Sequence, residues 1–250
     1  MPKFFVKSEN IIDNTVQILG KDVNHIANVL RMKVDDRLII GNIENGDNFL
    51  CQIINLEDKV TCRIIEKLPS QAEPNISLTI IQGLPKADKM EYIIQKAVEL
   101  GVTNIIPLRM EHCVVRLNQK EAEKKQIRWQ AIAESAAKQC KRDKVPKIEQ
   151  VQTVKQMAER IGQYDKVLIA YEKEEQAKLK EKLEKLKQSK KEQFKIAVII
   201  GPEGGIAQDE IALLIQKGAE PISLGKRILR TETASLVISS ILMYELGDIG

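Results

Sequence analysis

The chain has 250 residues, 43% hydrophobic and 30% charged, with a formal net charge of +4. That length and apolar content suffice for one large domain or two modest ones and exclude a disordered chain. The opening Met-Pro-Lys-Phe-Phe-Val lacks the long apolar core of a secretory signal, and the apolar stretch Ala234 to Tyr244 is too short and too Ser-broken to span a bilayer. A cytoplasmic protein without membrane contact is expected. The cysteines, Cys51, Cys62, Cys113 and Cys140, form no C-x-x-C pair, and the histidines, His25 and His112, lie far apart. No metal site is expected, and the thiols read as small buried groups in a reducing compartment.

In chain order, the first expected element is a helix from about Asp22 to Arg31, with Val23, Ile26, Ala27 and Leu30 at helical spacing. Two β-rich runs follow, Arg37–Asn42 and Asn48–Leu56, joined through Asn45-Gly46, a strong hairpin signal. A third run, Lys59–Lys67, comes after the turn at Glu57-Asp58. Several short strands with one helix predict a small β-barrel over residues 1–70. The polar segment Pro69 to Asn75, with two prolines, is the expected linker.

From residue 76 to 250 the pattern alternates. Strands are expected at Ser77–Gln82, Asn104–Leu108, Lys166–Tyr171, Lys195–Ile200 and Pro221–Leu224. Helices are expected between them at Asp88–Leu100, Gln119–Lys141, Thr153–Ile161, Glu174–Lys190 and Gln208–Lys217, with a last one from about Glu232 to Tyr244. Alternation of this kind predicts an α/β domain with a mainly parallel sheet covered on both faces. The charged stretch from Glu172 to Lys195 reads as a solvated helix with a narrow Leu179–Leu183–Leu186 seam.

Charge is unevenly placed. Residues 1–70 are near neutral, whereas residues 104–147 hold 11 Lys/Arg against 5 Asp/Glu. Such a local excess suits a polyanion, and equally suits a solvated basic helix.

Two Gly-bearing loops follow expected strand ends, where ligands bind in parallel sheets. They are Gly201-Pro202-Glu203-Gly204-Gly205 and Leu224-Gly225-Lys226-Arg227. Neither has the G-x-G-x-x-G spacing of a dinucleotide site. Gly225-Lys226 has Glu220 at the first Gly position of a P-loop and Arg227 where Ser or Thr should stand. ATP and NAD are therefore disfavoured. The first loop alone is compatible with a surface turn. The following Ile228-Leu229-Arg230-Thr231-Glu232-Thr233-Ala234 sets a cation, hydroxyls and a carboxylate at a helix start, where Thr231 or Thr233 also suits an N-cap.

These two segments together resemble the paired motifs of the RsmE family, SPOUT-class enzymes that use S-adenosylmethionine to methylate N3 of a uridine in 16S ribosomal RNA. The resemblance spans nearly the whole chain. Lys86-Ala-Asp-Lys-Met-Glu91, with Lys96, Glu99, Leu100, Gly101 and Val102, is similar to the family's first helix. Glu134, Gln139, Arg142 and Pro146 match its basic helix and exit turn, and His25 with Val29-Leu30-Arg31 its N-terminal motif. The chain departs from the family at Asp35, where Gly is usual at a tight turn, and at His112, where Arg is usual.

The resemblance implies an N-terminal PUA-like barrel, a C-terminal SPOUT domain with a deep trefoil knot, and a homodimer. For that pairing, Ala234, Val237, Ile238, Ile241 and Leu242 give the last helix a broad apolar face, which equally suits a core helix within one chain. Gly201, Pro202, Glu203, Gly204, Gly205, Leu224, Gly225, Leu229, Arg230, Thr231, Thr233 and Ala234 would then hold the cofactor. Arg230 would stabilise negative charge developing on the base, and Glu203 or Glu232 would take its proton; an ion pair of Arg230 with either glutamate is the alternative. His25, Arg31, Lys86, Lys138 and Arg142 would meet RNA, free or in the small ribosomal subunit. A non-catalytic RNA-binding or ribosome-assembly protein explains the basic segment and the barrel, but not both loops. An enzyme with another nucleotide ligand is the second rival.

Overall fold

A computed structural model of the chain describes residues 1–69, 72–172, 179–187, 193–246 and 249. It divides into two compact units, Met1–Glu73 with Ala137–Val145, and Pro74–Ala136 with Pro146–Gly250.

The first unit is built on one sheet. Its strands are β1 (Lys3–Val6), β2 (Ile11–Ile12), β3 (Thr15–Ile18), β4 (Arg37–Asn42), β5 (Asn48–Leu56) and β6 (Val60–Leu68), in the order β1-β4-β5-β6-β3-β2. Only β1 and β4 run parallel; the other ladders are antiparallel. Apolar side chains from β1, β3, β4, β5 and β6 meet in a single core, including Phe4, Val16, Leu38, Ile53 and Val60. The expected barrel is thus a sheet curled around its own core, with no ladder joining β1 to β2. Irregularities at Leu50/Cys51 and Ile53/Asn55 in β5 supply curvature. Burial and the neighbouring Cys62 push the Cys51 thiol up to about 12, and burial does the same to Cys62. Both therefore stay protonated and unreactive.

The strands around Asn45-Gly46 fall where the pattern put them. The expected helix is shorter and bent: α1 (Lys21–Asn24) runs on as a π-helical turn, His25–Val29. Strands β1 to β3 were not anticipated; β3 alternates, Thr15-Val16-Gln17-Ile18, but over four residues only. Asp35 adopts φ 77°, the left-handed region in which glycine is unstrained. Its N–H donates to Ile53 O at 2.9 Å, and its carboxylate accepts from Gln52 Nε2 at 3.1 Å. The tight turn is therefore kept without glycine, by a residue type whose short polar side chain tolerates this conformation.

The second unit contains β7 (Ser77–Gly83), α2 (Lys89–Glu99), β8 (Asn104–Arg109), α3 (Gln119–Gln139), β9 (Lys147–Ile148), β10 (Gln152–Thr153) and α4 (Val154–Ala158). It continues with β11 (Lys166–Ala170), α5 (Leu179–Lys187), β12 (Lys195–Ile200), α6 (Gln208–Gln216), β13 (Glu220–Ile222) and α7 (Thr231–Glu245). Strand order is β10-β8-β7-β12-β11-β13, with β9 also on β8, and every ladder is parallel. Ala197, Val198 and Ile199 are 0% exposed, as an inner strand covered on both faces requires. Helices α2 and α7 pack on each other, and α7 lies on β7 and β12.

The two-residue strands β9 and β10 are too short to carry a pattern. Of the helix expected at Glu174–Lys190, residues 174–178 and 188–190 lie outside the described residues. The sheet places its first strand, β7, between β8 and β12, so the winding reverses there, and ligands in open parallel sheets bind beyond the carboxyl ends near such a reversal.

Replacing Asp35 by Gly and by Ala separates backbone strain from side-chain bonding. The Ala protein should be less stable than the Gly protein by about 1 kcal/mol in denaturant unfolding, because both lose the carboxylate contact but only alanine meets the left-handed penalty.

Candidate functional site

The carboxyl ends of β11, β12 and β13 surround a cavity of about 510 Å³, within the range of small-molecule sites. One wall is the loop after β12, Gly201 to Gly205; the other is the stretch after β13, Ser223 to Arg230, running into Thr231 and Ala234 of α7. Both Gly-bearing motifs therefore line one cavity. Of the residues singled out in them, Glu232 and Thr233 are not in its wall; they line a neighbouring hollow with Ala87, Asp88, Lys89, Tyr92 and Leu236. Two positions along α7 from Thr231, Thr233 falls on nearly the opposite side of the helix from that wall residue, which turns it away from the cavity. Lys89, Ala170, Tyr171 and Glu172 are wall residues outside both motifs.

The first loop is held by close backbone approach. A Cβ on Gly83, the last residue of β7, would stand 2.7 Å from Pro202 N, and one on Gly204 would stand 3.0 Å from His112 O. Gly205 takes φ 73°. A buried chain of side-chain bonds fixes the loop to α7. Gln82 Nε2 donates to Thr231 Oγ1 at 2.8 Å, Thr231 Oγ1 donates to Gly201 O at 2.7 Å, and Ser235 Oγ donates to Gln82 Oε1 at 2.5 Å. Thr231 and Ser235 are thus structural links between β7, the loop and α7. The N-cap of α7 is Arg230, whose side chain makes no cap.

The charged groups sort themselves around Lys89. Its Nζ lies 2.8 Å from Glu203 Oε1 and 3.3 Å from Glu232 Oε2, joining α2, the first loop and α7. Glu203 also accepts the Lys86 N–H at 3.2 Å. Burial pushes the Glu203 carboxyl up, but the bonds from Lys89 and from the Glu203 and Lys86 amides outweigh it and hold it below the usual carboxylate range. Glu203 is therefore a weaker base than an ordinary glutamate. Glu232 Oε2 is buried and accepts no hydrogen bond. With both glutamates on Lys89, Arg230 is exposed in the cavity wall, and no ion pair joins it to either.

The positions singled out for RNA divide sharply. His25, Arg31 and Lys86 are exposed. Lys138 is not free: its Nζ lies 2.8 Å from Asp22 Oδ2 and 5.7 Å from the centre of the Phe4 ring. Arg142 corrects the expectation outright. It is 4% exposed, and its guanidinium grips Glu73 through Nε at 3.2 Å and Nη2 at 2.6 Å. Glu73 Oε1 also accepts the N–H groups of Asp143 and Lys144. The basic turn at Arg142 is thus a folded, ion-paired knuckle with its guanidinium turned inward. A lone cation read in sequence gives no notice of a carboxylate 69 residues away.

Comparison with known proteins agrees with this geometry. Residues 72–243 match the RNA methyltransferase domain family, and residues 18–65 the RNA methyltransferase PUA domain family. The chain is 37% identical to the ribosomal RNA small subunit methyltransferase E of Bacillus subtilis, over 92% of this chain and 90% of that protein. The chain belongs to the RsmE family. The same-named protein of Buchnera aphidicola, from Acyrthosiphon pisum, is 32% identical over 99% of this chain and 95% of its own length. A crystal structure of a Neisseria gonorrhoeae ribosomal RNA small subunit methyltransferase E bound to S-adenosyl methionine superposes with a TM-score of 0.86, at 28% identity over the whole of both chains. Asp35 holds the glycine-like turn, and His112, exposed, backs the Gly204 side of the cavity with its main chain.

Thr231→Val keeps the shape of the side chain but strips both of its buried hydrogen bonds. It should cost about 2–4 kcal/mol in denaturant unfolding, while Thr231→Ser should cost far less, because Gly201 O and Gln82 Nε2 would otherwise be left unpaired. Arg142→Ala should destabilise by about 3–5 kcal/mol, since it strands the Glu73 carboxylate. Its RNA affinity should keep the wild-type salt slope, measured on protein verified as folded.

Proposed function

We propose that this protein methylates N3 of a uridine in 16S ribosomal RNA, with S-adenosylmethionine as methyl donor. The observation that carries the reading is the joining of both family loops around one cavity with Arg230 exposed in its wall. The cavity suits the cofactor on its own terms. Glycines let the main chain come close to a ligand, and the N–H groups of Lys226 to Arg230 have no acceptor among the described residues, leaving donors for it. The bound donor supplies an electrophilic methyl group on a sulfonium sulfur.

The chain's own part is chiefly to hold the two reactants aligned. Gly201 to Gly205 and Leu224 to Thr231 bind and orient the donor. Arg230 faces the base and stabilises the negative charge left on its oxygens as the N3 proton departs. Glu203, held ionised by Lys89 and of lowered basicity, is a poor proton acceptor. Glu232, the other candidate, also pairs with Lys89 and lines the neighbouring hollow beside the cavity.

The N-terminal unit positions RNA through His25 and Arg31, with Lys86 contributing from the second unit; Lys138 and Arg142 instead shape the fold. The trefoil knot belongs to this reading, as do a cytoplasmic location and the small ribosomal subunit as substrate. So does a homodimer. Ala234, Ile238 and Leu242 of α7 are buried within the chain, while Val237, Ile241 and Tyr244 remain partly or fully exposed for a second copy to cover. No helix among the described residues is long and apolar enough to cross a membrane, and no cluster of three or more His, Cys, Asp or Glu suited to a metal occurs among them. A purely RNA-binding role leaves the cavity and the exposed Arg230 without purpose.

Calorimetry with S-adenosylmethionine, paired with methyl transfer to 16S ribosomal RNA and to small subunits, tests the reading. Arg230→Ala should lower methyl transfer by more than about 100-fold while leaving cofactor affinity nearly unchanged. No heat and no transfer by the wild-type protein would sink the function; equal loss of binding and transfer in the variant would sink the chemical role of Arg230.

A further inference from the structure

Glu172 stands two residues beyond the end of β11, in the wall of the cavity. Strands β11 and β12 are parallel neighbours with Ala170 opposite Ile200, so Glu172 and Pro202 sit at equivalent heights beyond the sheet. Its carboxylate lies against Gly205: a Cβ there would be 2.9 Å from Glu172 Oε1, so the glycine leaves the space that the carboxylate occupies. Glu172 is exposed, and among the described residues no hydrogen bond or ion pair engages it, although Lys89, Lys226, Arg227 and Arg230 line the same cavity. The other carboxylate in the wall, Glu203, is already bound by Lys89 and the Lys86 amide.

A carboxylate only accepts hydrogen bonds, and its two oxygens match two adjacent hydroxyls. The placement also repeats a solution found in dinucleotide-binding sheets. There a glycine-rich loop follows one strand, and an acidic residue beyond the neighbouring strand holds the ribose hydroxyls. We infer that Glu172 binds the vicinal ribose hydroxyls of the adenosyl cofactor and so makes the cavity selective for an intact ribonucleoside. The inference rests on the cofactor reading above and adds to it a residue and a ligand group.

The test is calorimetric titration of the full-length protein, Glu172→Gln and Glu172→Ala. The ligands are S-adenosylmethionine, 5′-methylthioadenosine, which keeps the ribose but lacks the ammonium and sulfonium charges, and the 2′,3′-dideoxy form of the latter. The side chain is exposed, so both variants should fold. Glu172→Ala should weaken S-adenosylmethionine and 5′-methylthioadenosine by the same factor, about 10- to 100-fold, with Glu172→Gln between it and wild type. Removing both hydroxyls should weaken wild-type binding by a similar factor and the Ala variant hardly at all. Unchanged affinity in the variants would overturn the inference while leaving the cofactor reading intact. So would a loss confined to S-adenosylmethionine, which would mean recognition of charge, or an equal cost of removing the hydroxyls from wild type and variant. Absence of binding by the wild-type protein to every ligand would instead bring down the cofactor reading, and this inference with it.

Discussion

The second unit hangs on a buried polar chain at the top of its central strands. Gln82 on β7 reaches Thr231 and Ser235 on α7, and Thr231 reaches the carbonyl of Gly201 at the end of β12. Gln82 and Ser235 are fully buried, so each polar atom left without its partner would carry a desolvation cost with no water to relieve it. That cost makes the arrangement selective: a shift of α7 or of the Gly201 loop breaks several bonds together. The cavity is the space left over once these three elements are locked.

Lys89 acts on the outside as Gln82 does on the inside. One ammonium group stands between Glu203 and Glu232, two carboxylates that would otherwise repel each other across the same corner. Both glutamates pair with Lys89, and Arg230 stands exposed in the cavity wall with no ion pair to either. An Arg paired at the cavity mouth would have been a poor stabiliser of new negative charge, since its field would already be answered. The charges thus divide, with Lys89 on the carboxylates and Arg230 in the cavity wall.

The first unit uses ion pairs differently. Arg142, Lys3 and Lys138 meet Glu73, Asp143 and Asp22 at low exposure. These pairs tie residues 137–145 to a sheet more than sixty residues earlier in the chain. The local excess of positive charge that suggested a polyanion partner is therefore partly internal, with Lys138 answered by Asp22 and Arg142 by Glu73. Exposed charge, rather than counted charge, is what a nucleic acid would meet.

Much of this was legible in the sequence because it depends on local pattern. Alternation of apolar runs and helical stripes placed β4, β5, β7, β12, α2, α6 and α7 to within a residue or two, since period and turn chemistry are short-range properties. The two glycine loops and the Leu224–Ala234 segment marked the site because close backbone approach leaves a residue-type signature. Left to the tertiary structure were the facts that depend on partners far apart in the chain. These include Arg142 turned inward onto Glu73, Thr233 turned out of the cavity, Lys89 bridging two glutamates and the Glu172 carboxylate set against Gly205. A sequence states which charges and hydroxyls exist; whether each is satisfied or left for a ligand is decided only when folding brings distant residues within hydrogen-bonding reach.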